Sequence, residues 1–214
     1  MIRIEQKAGG EMALLVIDRP GKANALTEQM LRDLTEGLER LAQAGAKAVI
    51  LTGRGKVFSA GADLEAARAG LAQSDAWAAL SGRMASMPCL TIAALNGTLA
   101  GGAFGMVLAC DIRLAVPEAE FFYPVMRLGY QPPQGDPERM VQLIGPARTR
   151  MILMAGARIA APEAVSWGLI DRILPAPDLM DGAAALAATC LGASRDHIAA
   201  IKARVQTCYS PALL

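Results

Sequence analysis

Between Met84 and Cys110 the chain runs 27 residues without a charged side chain, and this stretch does most to limit what it can fold into. A segment so long and so poor in charge is at home only away from water. It does not read as a membrane span. Pro88, Asn96 and the glycines at 97, 101, 102 and 105 cut it into pieces shorter than the ~20 apolar residues a spanning helix needs. It reads as a buried core segment: a strand over Leu90–Leu95, a turn at Asn96-Gly97, and a short helix opened by Gly101-Gly102-Ala103 and running to about Cys110. The 214 residues suffice for one large domain or a tight pair around such a core. With 53% hydrophobic residues and only 4% aromatic, that core packs through Ala, Leu, Ile and Val, as compact α/β enzymes do. Lysines and arginines number 21 against 20 acids, which excludes the basic excess of a nucleic-acid-binding surface.

The pattern before and after this segment alternates strand and helix. Ala13–Ile17 is a β-branched apolar run that stops at Asp18-Arg19-Pro20-Gly21. Thr27 is placed to cap a helix whose apolar positions, Met30, Leu31, Leu34, Leu38 and Leu41, recur at helical spacing. Ala48–Thr52 is a second apolar strand, so strand, helix and strand form a crossover unit with parallel strands. A loop of small residues, Val57–Leu64, leads into an alanine-rich helical stretch. Further strands are expected at Ile112–Val116 and Phe121–Tyr123. From Gly135 the chain turns helical: Asp136 reads as an N-cap with Pro137 in the first helical position, and Gly145-Pro146 ends that helix. A short helix opening at Pro162, a small strand within Ile170–Leu174, and helices near 178–191 and 194–207 follow. The one candidate boundary lies near Gly135, dividing residues 1–134 from a helical region 135–214.

Several chemistries lack their residues. There is no G-x-S-x-G elbow and no P-loop lysine motif, and the single histidine, His197, has no obvious serine or cysteine nucleophile near it in sequence. Metal clusters are not expected. The four cysteines, at 89, 110, 190 and 208, form no C-x-x-C and read as reduced thiols. No basic-then-apolar leader opens the chain, so a cytoplasmic protein is expected. Two places stand out. In Ser59-Ala60-Gly61-Ala62-Asp63 small side chains let a ligand approach the backbone. At Gly101-Gly102-Ala103 a glycine turn opens a helix whose first N–H groups lack internal partners. Two N–H groups converging from such turns would form an oxyanion hole for charge developing on a carbonyl oxygen; each loop alone also serves as a packing device.

Taken together, Asp18-Arg19-Pro20, Asn24-Ala25-Leu26, Ser59–Leu64, Asn96-Gly97 with Gly101-Gly102, Cys110-Asp111-Ile112, Leu128-Gly129 and Gly168-Leu169-Ile170 resemble the crotonase superfamily of enoyl-CoA hydratases and isomerases. The resemblance covers residues 10 to 175 in unbroken order. It implies an α/β fold, a crotonase-like spiral of repeated ββα units with a C-terminal helical region. It further implies an acyl-CoA substrate, no cofactor beyond the coenzyme A carried by that substrate, and a homo-oligomer, a trimer or a hexamer. The resemblance assigns the oxyanion hole to the N–H groups of Ala62 and Gly102. It assigns coenzyme A contacts to Lys22, Ala23, Ala25, Ala60, Asp63 and Leu64, with Arg54 and Lys56 near the phosphates.

The chain departs from the family pattern where a hydratase carries two glutamates. Those positions read Gly105 and Val125 here, and a third, aspartate in some isomerases and hydrolases, reads Pro133. Glycine and valine transfer no protons, so conventional hydration is doubtful. Asp136, just beyond the third position, is the candidate replacement, with Glu138, Tyr123, Tyr130, Gln131 and Gln134 as polar neighbours. Decarboxylation of a malonyl-type acyl-CoA, thioester hydrolysis and non-catalytic acyl-CoA binding stand as alternatives. Relatives run about forty residues further, with helices that cover the acyl pocket, so that cover is expected to be missing, supplied by a neighbouring subunit or made by the last helix.

Overall fold

The computed structural model describes residues 1–207. Cys208 and the closing residues 209–214 lie outside them. The chain opens with β1 (Ile2–Lys7) and β2 (Met12–Ile17), which pair antiparallel, and α1 (Glu28–Ala44) follows. Thr27 caps α1 as expected, accepting from the Met30 N–H at 3.3 Å, and Met30, Leu31, Leu34, Leu38 and Leu41 form its buried face. Gly45, left-handed at φ 74°, ends it.

From there one motif repeats three times. β3 (Ala48–Gly53), β4 (Val57–Ser59), then α2 (Leu64–Arg68) and α3 (Ala76–Ala85) make the first unit. β5 (Leu90–Leu95), β6 (Thr98–Ala100) and α4 (Phe104–Leu108) make the second, and β7 (Ile112–Ala115), β8 (Glu120–Phe122) and α5 (Val125–Leu128) the third. In each unit the longer strand joins a sheet of order β1-β2-β3-β5-β7-β10, and the three-residue strand joins a second sheet of order β4-β6-β8-β9. All pairings from β2 through β7 in the first sheet are parallel, as are β4 with β6 and β6 with β8. This is the expected spiral of ββα units, and the crossover from β2 through α1 to β3 is the expected parallel one.

The uncharged segment fills the centre of this arrangement. Ile92 through Leu95 and Ala103 through Cys110 are all buried, with β5 between β3 and β7. α6 (Asp136–Leu153), β9 (Ile159–Ala160), α7 (Ala161–Trp167), β10 (Arg172–Ile173), α8 (Leu179–Leu191) and α9 (Arg195–Thr207) complete the described chain. α8 packs across β3, β5 and β7. Cys89 and Cys110 are buried free thiols, pushed up to about 12 by loss of hydration. Among the described residues no helix is long and apolar enough to cross a membrane.

Three details differ from the sequence reading. β1, β4, β6 and the two-residue β9 are strands where none was expected. The Gly145 break is real, at φ 78° and ψ 166°, but Pro146 restarts the helix at once and it runs to Leu153. Asp136 is not the N-cap of α6. Gly135 holds that place at φ 92°, its N–H donating to Glu138 Oε2 at 3.1 Å, so the cap function passes to Glu138 and the Asp136 side chain turns into the core.

Asn24 joins the early loop to the spiral. Wholly buried and left-handed at φ 54°, it accepts from the Arg19 N–H at 2.8 Å and donates to the carbonyls of Arg54 at 3.0 Å and Val57 at 2.7 Å. Asn24→Ala strands these partners and puts alanine in a conformation asparagine tolerates better. A loss of about 2–4 kcal/mol is expected from urea unfolding with an unchanged slope. An unmoved midpoint would show that the loop is held by other means.

Candidate active site

The two small-residue turns meet. The Leu26 N–H donates to the Gly61 carbonyl at 2.7 Å, and the Asp63 N–H donates to the Leu26 carbonyl at 2.8 Å. This bridge takes up one edge of the chain at Ala62 and turns the Ala62 N–H the other way; no partner within the described residues accepts from it. Gly61, at φ 87°, lies so close to the second turn that a Cβ there would stand 2.8 Å from the Ala100 carbonyl oxygen and 3.3 Å from Gly101 Cα. Gly101, at φ 58°, swings the chain out of β6 into the single 3-10 turn that precedes α4. Gly102 is second in that turn, where an N–H has no intrahelical acceptor, and no group among the described residues accepts from it.

Ala62 and Gly102 share the wall of one cavity of about 250 Å³, together with Ala60 and Leu64 from the first turn. Trp77 forms a side that sequence reasoning did not find. Its indole N–H donates to the Leu71 carbonyl at 2.8 Å, and its ring would lie 3.1 Å from a Cβ at Gly102, so glycine there leaves room for the ring. A lone tryptophan in an alanine-rich helix was the available signal. Tyr123, Val125, Tyr130, Gln131 and Pro133 line much of the remainder, and among the described residues Arg127 is the only charged one on the wall. Among the described residues no carboxylate lines the cavity.

Lys22, Ala23, Ala25 and Asp63 are not on that wall but lie in the loop beside it. The Ala60 N–H donates to the Ala23 carbonyl at 3.0 Å, and Arg19 bridges Asp63 Oδ2 at 2.7 Å and the Ala25 carbonyl at 2.9 Å. The Arg19 hydrogen bond, with amides of the α2 first turn, holds the Asp63 carboxyl below its usual range. Lys22 and Lys56 are exposed, and Arg54 reaches Asp18 at 3.3 Å. His197 lies elsewhere, on a groove between α8 and α9.

Asp136 stands behind the wall. Its Oδ2 accepts from the Tyr123 hydroxyl at 3.0 Å, and its Oδ1 has no partner among the described residues. Burial pushes its pKa up to about 7, opposed by the Tyr123 hydrogen bond and by Arg139, and reinforced by Glu138. Burial also raises the Tyr123 phenol well above 10.

This chain belongs to the enoyl-CoA hydratase/isomerase family, whose model matches residues 7–214. A Mycobacterium bovis protein described as a probable enoyl-CoA hydratase is 32% identical over 194 residues, which make up 88% of this chain and 74% of the relative. A Geobacillus kaustophilus enoyl-CoA hydratase subunit I structure superposes with a TM-score of 0.88 at 32% identity, covering 97% of this chain and 82% of that one. Pseudomonas aeruginosa DspI gives 0.89 at 29% identity, covering 99% and 88%.

The Asp136 environment has a consequence for stability. Its folded pKa lies above the unfolded value, so the native state binds the extra proton and loses stability as pH rises from about 4 through about 7. Asp136→Asn removes this loss, worth on the order of a few kcal/mol at pH 8. Thermal melts at pH 5 and pH 8 check it. The variant should narrow the difference between the two, and an undiminished difference would place the titration elsewhere.

Proposed function

We propose that this chain is an enzyme that binds an acyl-CoA thioester in the cavity beside Trp77 and stabilises an enolate on the thioester oxygen through the N–H groups of Ala62 and Gly102. The observation that carries this reading is the pair of unpartnered amides from two turns in contact, opening on one apolar cavity. In such a place the amides act with little competition from water and without reorganising as charge develops. The coenzyme A would run along the Lys22–Ala25 and Ala60–Leu64 loops, where exposed backbone suits the adenine and pantetheine, with Lys22, Arg54 and Lys56 near the phosphates.

The reaction is one of enolate chemistry rather than two-carboxylate hydration. Val125 and Pro133 stand on the wall where carboxylates would be needed, and Asp136 is the acid–base group we assign. Turnover of crotonyl-CoA, methylmalonyl-CoA or acetyl-CoA is the first assay, alongside calorimetric binding. Tight binding without turnover of any of them would favour a non-catalytic acyl-CoA-binding subunit.

Gly102→Pro deletes one amide donor, whereas Gly102→Ala adds a Cβ against the same Trp77 ring but keeps the N–H. Turnover should fall about 10²–10³-fold further in the proline variant than in the alanine one. Equal losses would remove the Gly102 amide from the mechanism.

The homo-oligomer is supported by Met126, Leu128, Met151 and Met154, apolar side chains of α5, α6 and the residue after it that are about half exposed. Analytical ultracentrifugation should show a trimer or hexamer; a monomer at micromolar concentration would contradict it.

A further inference from the structure

We propose that Tyr123 and Asp136 form a two-member proton relay for the acyl cavity, in which Tyr123 meets the substrate's α-carbon and Asp136, seated in the space that Gly105 leaves empty, takes up the proton. This rests on the cavity being an acyl-CoA site.

The seat is built for the carboxyl. A Cβ at position 105 would stand 2.5 Å from Asp136 Oδ1, 3.0 Å from Oδ2 and 3.1 Å from Cγ, so no side chain on this face of α4 is compatible with the carboxyl. The carboxyl reaches α4 from α6, and structural duties do not explain it. Glu138 serves the end of α6, and Arg139 turns its Nη1 to Ser81 Oγ at 3.3 Å and forms no ion pair with Asp136. What remains is a buried carboxyl with one hydrogen bond and a bare Oδ1, a costly arrangement of the sort found where proton affinity is put to use.

Its one partner leads to the cavity. Tyr123 lies on the cavity wall, its ring stacked on Phe104 at 5.3 Å between centroids and 18° between planes, and its hydroxyl donates to Asp136 Oδ2. Asp136 itself does not reach the wall, so exchange with a bound acyl group passes through the phenol. In the forward step the Cα–H bond breaks and its proton goes to the phenolic oxygen while the phenolic proton goes to Asp136 Oδ2. The C–H electron pair becomes the enolate on the thioester oxygen. The reverse step returns a proton to Cα, and nothing is oxidised or reduced. The phenol does not ionise alone near neutral pH, whereas a carboxyl poised near 7 gives and takes protons there. The charged groups acting on the pair are Arg139 and Glu138 of α6; α3 presents Ser81, and α4 presents Phe104 and Gly105.

The test is deuterium incorporation at the α-carbon of butyryl-CoA in D2O, followed by mass spectrometry from pH 5 to 9, with butyryl-CoA binding measured by calorimetry. The intact protein should exchange, with a rate that rises through about pH 7 and levels off as Asp136 ionises. Tyr123→Phe and Asp136→Asn should each lower the plateau about 10²–10⁴-fold, with the double variant little worse than either. Both should leave butyryl-CoA binding intact, and Asp136→Asn should abolish the pH step. Gly105→Ala, which displaces the carboxyl, should lower exchange in the same way. Undiminished exchange in Tyr123→Phe or Asp136→Asn, or a bound but unexchanged ligand in the intact protein, would overturn the relay. Failure of butyryl-CoA to bind at all would instead bring down the reading of the cavity, and the relay with it.

Discussion

The site depends on how closely two backbone turns approach. At Gly61 and Gly101 the chain passes within ordinary contact distance of itself, and a single methyl at Gly61 would collide with the Ala100 carbonyl. That approach lets Ala62 and Gly102, forty positions apart in sequence, lie on one wall. Both glycines take left-handed conformations, which a side chain would strain as well as obstruct. The arrangement is stiff because neighbouring polar groups are already committed. Ser59 Oγ donates to the Asn24 carbonyl and accepts from the Gly61 N–H, while the Leu26 bridge ties up Gly61 and Asp63. Rigid donors of this kind need no rearrangement when charge forms beside them.

The spiral explains why the turns meet. Each unit sends a long strand into one sheet and a three-residue strand into the other, so the turn that follows β4 and the turn that follows β6 lie one strand spacing apart. The third unit brings Tyr123, just after β8, to the same edge. The apolar segment from Met84 to Cys110 is therefore both core and wall: its first strand is buried between β3 and β7, and its glycine turn faces the cavity. On α4 position 105 is a glycine, and a carboxyl from α6 stands in the space a side chain there would fill.

Much of this was legible in the amino-acid order. Ala13–Ile17, Ala48–Thr52 and Leu90–Leu95 are long apolar runs whose burial dictates a parallel sheet, and Thr27 with Met30 and four leucines at helical spacing marks α1. β4 and β6 were hidden because three residues amid glycines and small side chains carry no period. β1 is an edge strand with only Ile2 and Ile4 facing inward, too thin a pattern to stand out. Asp136-Pro137 looks like a helix start by every local rule. The local rule lost to a tertiary one: Gly135 adopts φ 92°, Glu138 reaches back, and Tyr123 draws the aspartate inward. Trp77 stood out only as a lone tryptophan among alanines, since nothing in its own segment tells that the space above Gly102 is open to its ring.

The central claim is that two main-chain amides polarise one thioester carbonyl, and the bond itself reports on this. Infrared difference spectroscopy of butyryl-CoA labelled with carbon-13 at the thioester carbonyl isolates that one stretch in the presence of protein. Two amides aimed at the oxygen weaken the double bond, so the band should move to lower frequency on binding than in water. A bound ligand whose carbonyl band stays at its aqueous frequency would contradict the account.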